Sequence, residues 1–114
     1  MDLFAWLLVG HLVGDFVLQT GWMAREKDKK PAALAVHSAV YALAAYGFSF
    51  MAGGLRWPAL VVLLASHAFL DQRGFVEAWV RLVNGAERVH WLKVMVDQAF
   101  HVLVLAAVAQ YFRI

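Results

Sequence analysis

Four apolar stretches, at about 3–23, 32–52, 57–73 and 90–112, take up most of this chain. Each approaches the roughly 20 residues that an α-helix needs to cross a hydrocarbon core of about 30 Å. The composition agrees: 63% of the residues are hydrophobic, and only 10 basic and 8 acidic side chains occur in 114 residues, too few for a soluble domain of this size. The expected fold is all-α, an integral membrane four-helix bundle, with residues 1–114 forming a single transmembrane domain. There is no cysteine, so neither a disulfide framework nor a thiolate metal site is available. The first residues, Met1-Asp2-Leu3, lack the basic start of a signal peptide, and the first apolar stretch is read as a retained helix.

Local signals punctuate the four segments. The first ends at the charged run Arg25-Glu26-Lys27-Asp28-Lys29-Lys30, and Pro31 suits the opening turn of the second. Gly53-Gly54 marks a turn, Trp57-Pro58 opens the third helix, and Gly74 is expected to cap its C-terminus. Between the third and fourth spans, at about 75–88, Phe75, Trp79, Leu82 and Val83 share one helical face while Glu77, Arg81 and Arg88 lie elsewhere. That pattern predicts a short interfacial helix with a Glu77–Arg81 pair on its wet side. The alternative is a packed apolar loop.

Lysine and arginine positions set the expected orientation. The first connection holds Arg25, Lys27, Lys29 and Lys30, the third holds Arg73, Arg81, Arg88 and Lys93, and the second only Arg56. Cytoplasmic loops carry the basic excess, so both termini are expected to be non-cytoplasmic.

Histidine and aspartate recur four residues apart within the apolar segments, at His11/Asp15, His67/Asp71 and, reversed, Asp97/His101. That spacing puts each pair on one helix face. With His37 two turns into the second helix, seven ionisable residues from four helices fall at one depth in the inner leaflet, and no lysine or arginine is expected in that layer. Ionisable groups inside a membrane face one another, line a water-filled cavity or hold an ion. Imidazole and carboxylate are the usual thiol-free ligands of zinc and manganese, and bundles hold such ions on inward-facing side chains. The candidate metal ligands are therefore His11, Asp15, His37, His67, Asp71, Asp97 and His101, sharing one or two divalent ions. Asp15 or Asp97 is the candidate general base, and Gln19 and Gln98 are placed beside the substrate or behind the ligands.

Blander roles compete with each of these. A lone intramembrane histidine can be a packing residue, Asp71 can snorkel to the interface, and Gln19 can bridge helices. His90 is assigned to the membrane surface, Tyr41 to the core or interface, and Gly10-x-x-x-Gly14 to close helix packing.

Taken together, His11-Leu-Val-Gly-Asp15-Phe-Val-Leu-Gln19, followed by Thr-Gly-Trp-Met-Ala-Arg-Glu-Lys27, with His37-Ser38, His67-x-x-x-Asp71 and Asp97-Gln98-x-x-His101, resemble the bacterial membrane family catalogued as domain of unknown function 3307. The family pattern has a lysine shortly after the third-helix aspartate, where this chain has Gln72-Arg73-Gly74. The family brings no established activity. More loosely, the arrangement is similar to small membrane-bound metal-dependent hydrolases.

Two functions follow as expectations for a bacterial inner-membrane protein. One is a metal-dependent hydrolase acting on a lipid head group or lipid-linked phosphate at the cytoplasmic leaflet, with Lys27, Lys30 and Arg73 attracting the anion. The other is a proton or metal-ion relay, alone or in a homo-oligomer. Beside these two active roles stands a third reading, a structural subunit whose polar cluster fixes helix register. Membrane lipid is the expected partner, and no nucleic-acid partner is expected.

Overall fold

Asp2 starts the first helix by accepting the Ala5 N–H at 2.8 Å, an N-cap that satisfies an otherwise free donor of the first turn. In the computed structural model, which describes all residues Met1–Ile114, this α1 (Leu3–Leu12) runs into a π-helical turn at Val13–Val17, marked by Leu18 N–H donating to the Val13 carbonyl at 2.9 Å. The helix then breaks. Thr20 Oγ1 accepts the Met23 N–H and caps a separate short helix, α2 (Gly21–Glu26). The continuous first span expected over 3–23 is thus an apolar helix over Leu3–Val17, about 22 Å long, followed by a turn.

Pro31 occupies the first turn of α3 (Pro31–Ser49), which tightens into a 3-10 turn at Phe50–Ala52 before Gly53 and Gly54. Both glycines have positive φ, 100° and 87°, which explains their choice at this turn. Helix α4 (Pro58–Asp71) has 14 residues. Its end differs from expectation: the left-handed residue is Arg73, at φ 69°, and Gly74 is the first residue of α5 (Gly74–Leu82) rather than a cap. The last helix is α6 (His90–Tyr111). Two helices, Pro31–Ala52 and His90–Tyr111, are long and apolar enough to cross a membrane; α4 reaches that length only together with α5, across a 59° bend.

Helices α1, α3, α4 and α6 close a ring in which α1 packs on α3, α3 on α4, α4 on α6 and α6 on α1. One half of the ring interior is apolar, built on Leu7, Ala45, Leu63, Leu105 and their neighbours. Gly10 and Gly14 face α3 as their spacing predicts: a Cβ on Gly10 would lie 2.7 Å from Ala45 Cα, and one on Gly14 2.9 Å from Tyr41 Cα. Many large apolar side chains face outward, among them Leu43, Val61, Phe69 and Leu103, as expected for lipid-facing surfaces.

At the apolar end, the Gly53-Gly54 turn is tied to the C-terminus. Arg56 N–H donates to the Phe112 carbonyl at 2.7 Å, and the Arg56 guanidinium donates to the Tyr111 carbonyl and lies over the Phe112 ring. At the other end, α5 folds across the bundle. Val76 and Val80 are buried with Leu70, while Trp79, Leu82 and Val83 stay exposed. The face expected to seek the membrane is divided: Phe75 and Trp79 pack edge-on against Phe100 of α6, with ring centroids 4.9 and 5.0 Å apart, and Leu82 and Val83 are left outside. Glu77 and Arg81 do not form the expected ion pair.

Candidate metal centre

The polar layer occupies the half of the ring interior opposite the apolar core. Asp15 comes from the π-helical turn, His37 from α3, His67 and Asp71 from α4, and Asp97 and His101 from α6. His11, Asp15, His37, His67, Asp71 and His101 are all buried, and Asp97 is half-buried. A π-turn widens the helix by one residue, a distortion found frequently at functional sites.

Asp15, His37, His67 and Asp71 each offer a ligand atom within 4.8 Å of the others, and Asp71, Asp97 and His101 do the same. Asp71 belongs to both groups. Its Oδ2 lies 3.1 Å from His67 Nε2 and 3.2 Å from His37 Nε2, and its Oδ1 lies 3.5 Å from His101 Nε2. It does not snorkel; it is only 3% exposed.

With the imidazoles neutral, as metal ligands are, the hydrogen bonds select one tautomer for each of His101 and His67. His101 Nδ1–H donates to the Asp97 backbone carbonyl at 2.6 Å, so in the neutral ring Nε2 is an acceptor, and it receives His67 Nδ1–H at 3.1 Å. His67 Nε2 is then a lone pair. It faces Asp71 Oδ2 at 3.1 Å and Asp15 Oδ1 at 3.8 Å and has no hydrogen-bond partner, while Asp71 Oδ2 is ion-paired to Lys27 Nζ at 3.2 Å. Electron-rich atoms converging in a buried space repel one another unless cations lie among them, and the Lys27 ammonium pairs with Asp71 alone, leaving Asp15 and Asp97 uncompensated. This donor set fits a divalent ion such as zinc or manganese. His37 is bound differently: its Nε2–H donates to Asp15 Oδ1 at 2.9 Å, so it supplies a ligand nitrogen only on releasing that proton.

His11 stands outside both ligand groups. Gln98 directs its amide nitrogen toward Asp15 Oδ2 and Asp97 Oδ2, at 3.5 and 3.4 Å, and its carbonyl oxygen accepts His11 Nε2–H at 2.9 Å. His11 Nδ1 in turn accepts the Tyr41 hydroxyl at 2.9 Å. Both ring nitrogens are engaged, so His11 orients Gln98 behind the carboxylates and is not placed to ligate. The pair His11/Asp15 is joined through Gln98, whereas His67/Asp71 converge directly. Tyr41, assigned from sequence to the core or interface, is buried and also stacks on His67 with ring centroids 3.9 Å apart, steadying that imidazole.

A second correction concerns charge. Lys27 Nζ lies 3.2 Å from Asp71 Oδ2, so the layer does contain a lysine. Counted along an unbroken helix, Lys27 would lie outside the bundle; the break after Val17 turns α2 back and returns Lys27 to the site. The break is signalled by Thr20-Gly21, a cap residue followed by glycine.

A cavity of about 300 Å³ adjoins the layer, lined among others by Asp15, Gln19, Lys27, Arg73, Lys93 and Asp97. Glu77 and His90 also line it, and His90 is thus part of the cavity wall. Gln19 Oε1 has no hydrogen-bond partner. Lys30 instead approaches Glu26 at 3.9 Å.

No curated protein and no solved structure matches this chain. Residues 3–114 match the model of the family described as protein of unknown function (DUF3307), covering every site residue above, and the chain belongs to that family.

Proposed function

We propose that this protein is a multi-pass bacterial inner-membrane hydrolase that depends on a divalent metal and acts on a lipid head group or lipid-linked phosphate at the cytoplasmic leaflet. The observation that carries the reading is the convergence of buried His67 Nε2, which has no hydrogen-bond partner, on Asp71 Oδ2 at 3.1 Å and Asp15 Oδ1 at 3.8 Å, with Lys27 offsetting only part of the carboxylate charge. A divalent ion held by Asp15, His67 and Asp71, with His37 as a further ligand, supplies Lewis-acid polarisation of a phosphoryl oxygen and acidifies water. Asp97, the most exposed carboxylate of the layer and a wall of the cavity, is the proton acceptor. Gln98 holds it beside Asp15, and the Tyr41–His11 pair holds Gln98. Lys27, Arg73 and Lys93 give the cavity its attraction for an anionic head group.

The apolar core favours hydrolysis over transport. A relay needs a polar path through the whole bundle, yet Leu7, Leu63 and Leu105 are fully buried in the half facing the termini. The test is elemental analysis of the detergent-purified protein, followed by phosphate release from anionic lipids in mixed micelles with and without chelator. Stoichiometric zinc or manganese, with chelator-sensitive hydrolysis that Asp97→Asn reduces by about 100-fold or more, is the expected result. A protein that holds no metal and is fully stable without it would remove this reading.

A further inference from the structure

We propose that the centre is dinuclear: Asp71 bridges two divalent ions, and the second is held by Asp71, Asp97 and His101 and completed by a phosphate-type anion from the adjoining cavity. The inference rests on the metal-dependent reading above and deepens it. Its geometric basis is that the two ligand groups share one residue, whose two oxygens face different groups. Asp71 Oδ2 faces His37 and His67 with Lys27 beside it, and Oδ1 faces His101. A carboxylate so placed binds one ion through each oxygen. Asp97 Oδ1 is unpartnered, and Asp97 offers a ligand oxygen within 4.8 Å of those of Asp71 and His101, so it is available to the second ion, while Oδ2 stays beside the Gln98 amide and retains the proton-accepting role.

Charge accounts for the order of binding. Asp15, Asp71 and Asp97 against Lys27 leave two negative charges, which the first divalent ion neutralises. A second ion would leave an uncompensated excess of positive charge in a poorly polar space unless an anion entered with it. The cavity is suited to one: with Lys27, Asp15 and Asp97 already counted, Arg73 and Lys93 remain against Glu77 along its wall. The second site is also the weaker, because His101 Nε2 must give up the His67 N–H that it now accepts. A phosphate ester provides oxygens for the second ion and the negative charge that it lacks, which makes phosphate esters the substrate class.

The experiment titrates metal-stripped, detergent-solubilised protein with Mn²⁺, alone, with inorganic phosphate, and with phosphatidic acid in the micelle, reading stoichiometry and electron paramagnetic resonance. One tightly held Mn²⁺ is expected without phosphate. With phosphate, a second should bind about tenfold more tightly than without it, and the two should show the exchange coupling of a bridged pair. Coupling with phosphatidic acid only would assign the anion to a lipid head group, and coupling with inorganic phosphate as well would assign it to phosphate as such; either supports the proposal. Asp97→Asn and, independently, His101→Gln should keep the first ion and lose the second. A single ion at saturating Mn²⁺ and phosphate, two ions without coupling, or no effect of either phosphate source would each overturn the dinuclear proposal while the single-metal reading stands. No bound ion under any condition would overturn both.

Discussion

Lys27 stands 3.2 Å from a carboxylate oxygen whose other close neighbours are imidazoles, and its side chain is only 14% exposed. An ammonium in that position neutralises part of the charge that a metal ion would otherwise neutralise. Lys27→Met should therefore have opposite effects in two states. Metal-free protein should lose about 2 kcal/mol of stability, below the usual cost of breaking a fully buried pair because Lys27 retains some solvent. Metal affinity should rise, since a competing cation is gone. Thermal unfolding in detergent, with chelator and with Mn²⁺, checks both; an equal loss in the two conditions would mean that Lys27 serves packing alone. Tyr41→Phe isolates another contact. It removes the hydroxyl that His11 Nδ1 accepts while keeping the ring on His67, and should cost about 1–3 kcal/mol for a buried acceptor left unpaired. A change in metal stoichiometry on that substitution would count against placing His11 behind the ligands.

At the scale of elements, the sequence is most informative where helices are regular. His67/Asp71 sits in an unbroken helix, so a spacing of four translates into convergence on one point. Asp97/His101 is likewise regular, but the closer contact there runs from the His101 ring to the Asp97 backbone carbonyl. For His11/Asp15 the same spacing misleads, because a π-turn begins at Val13 and shifts Asp15 relative to His11. Lys27 escapes a linear reading for a related reason: depth counted along a continuous helix fails once Thr20 starts a new one. Close packing was legible at Gly10 and Gly14 because small residues four apart make a groove for a neighbouring backbone, here that of α3. This yields a paired prediction. Gly14→Ala puts a methyl 2.9 Å from Tyr41 Cα, where backbone must move, and should cost about 1–3 kcal/mol and disturb the Asp15 position beside it. Gly47→Ala in the open part of α3 meets nothing within 4 Å and should stabilise by up to about 1 kcal/mol. Melting temperatures in detergent separate the two, and comparable effects of both substitutions would rule out the tight α1–α3 contact as the cause.

For the whole molecule, the division of the ring interior into an apolar half and a polar half gives the two ends different chemistry. Met1, Gly53, Gly54 and Ile114 gather around one cavity at the apolar end, and Lys27, Arg73 and Lys93 around another at the polar end. Lysines and arginines near helix ends are retained on the cytoplasmic side during insertion, so the polar end and its cavity should face the cytoplasm. Helices Leu3–Val17 and Pro58–Asp71 are each only about 21–22 Å long, short of a hydrocarbon core of about 30 Å. Stopping short at the polar end would let the inner-leaflet surface reach the site without a channel through the protein, as a head-group hydrolase requires. The absence of native cysteine makes this directly testable. Single cysteines introduced as Met51→Cys or Ile114→Cys should react with a membrane-impermeant maleimide added to spheroplasts, whereas Lys29→Cys should react only after permeabilisation. The reverse labelling pattern would put the cavity on the outer surface, away from cytoplasmic-leaflet lipids. Labelling of Met51→Cys and Ile114→Cys from opposite sides would contradict the contact between the Gly53-Gly54 turn and the C-terminus on which the ring closes.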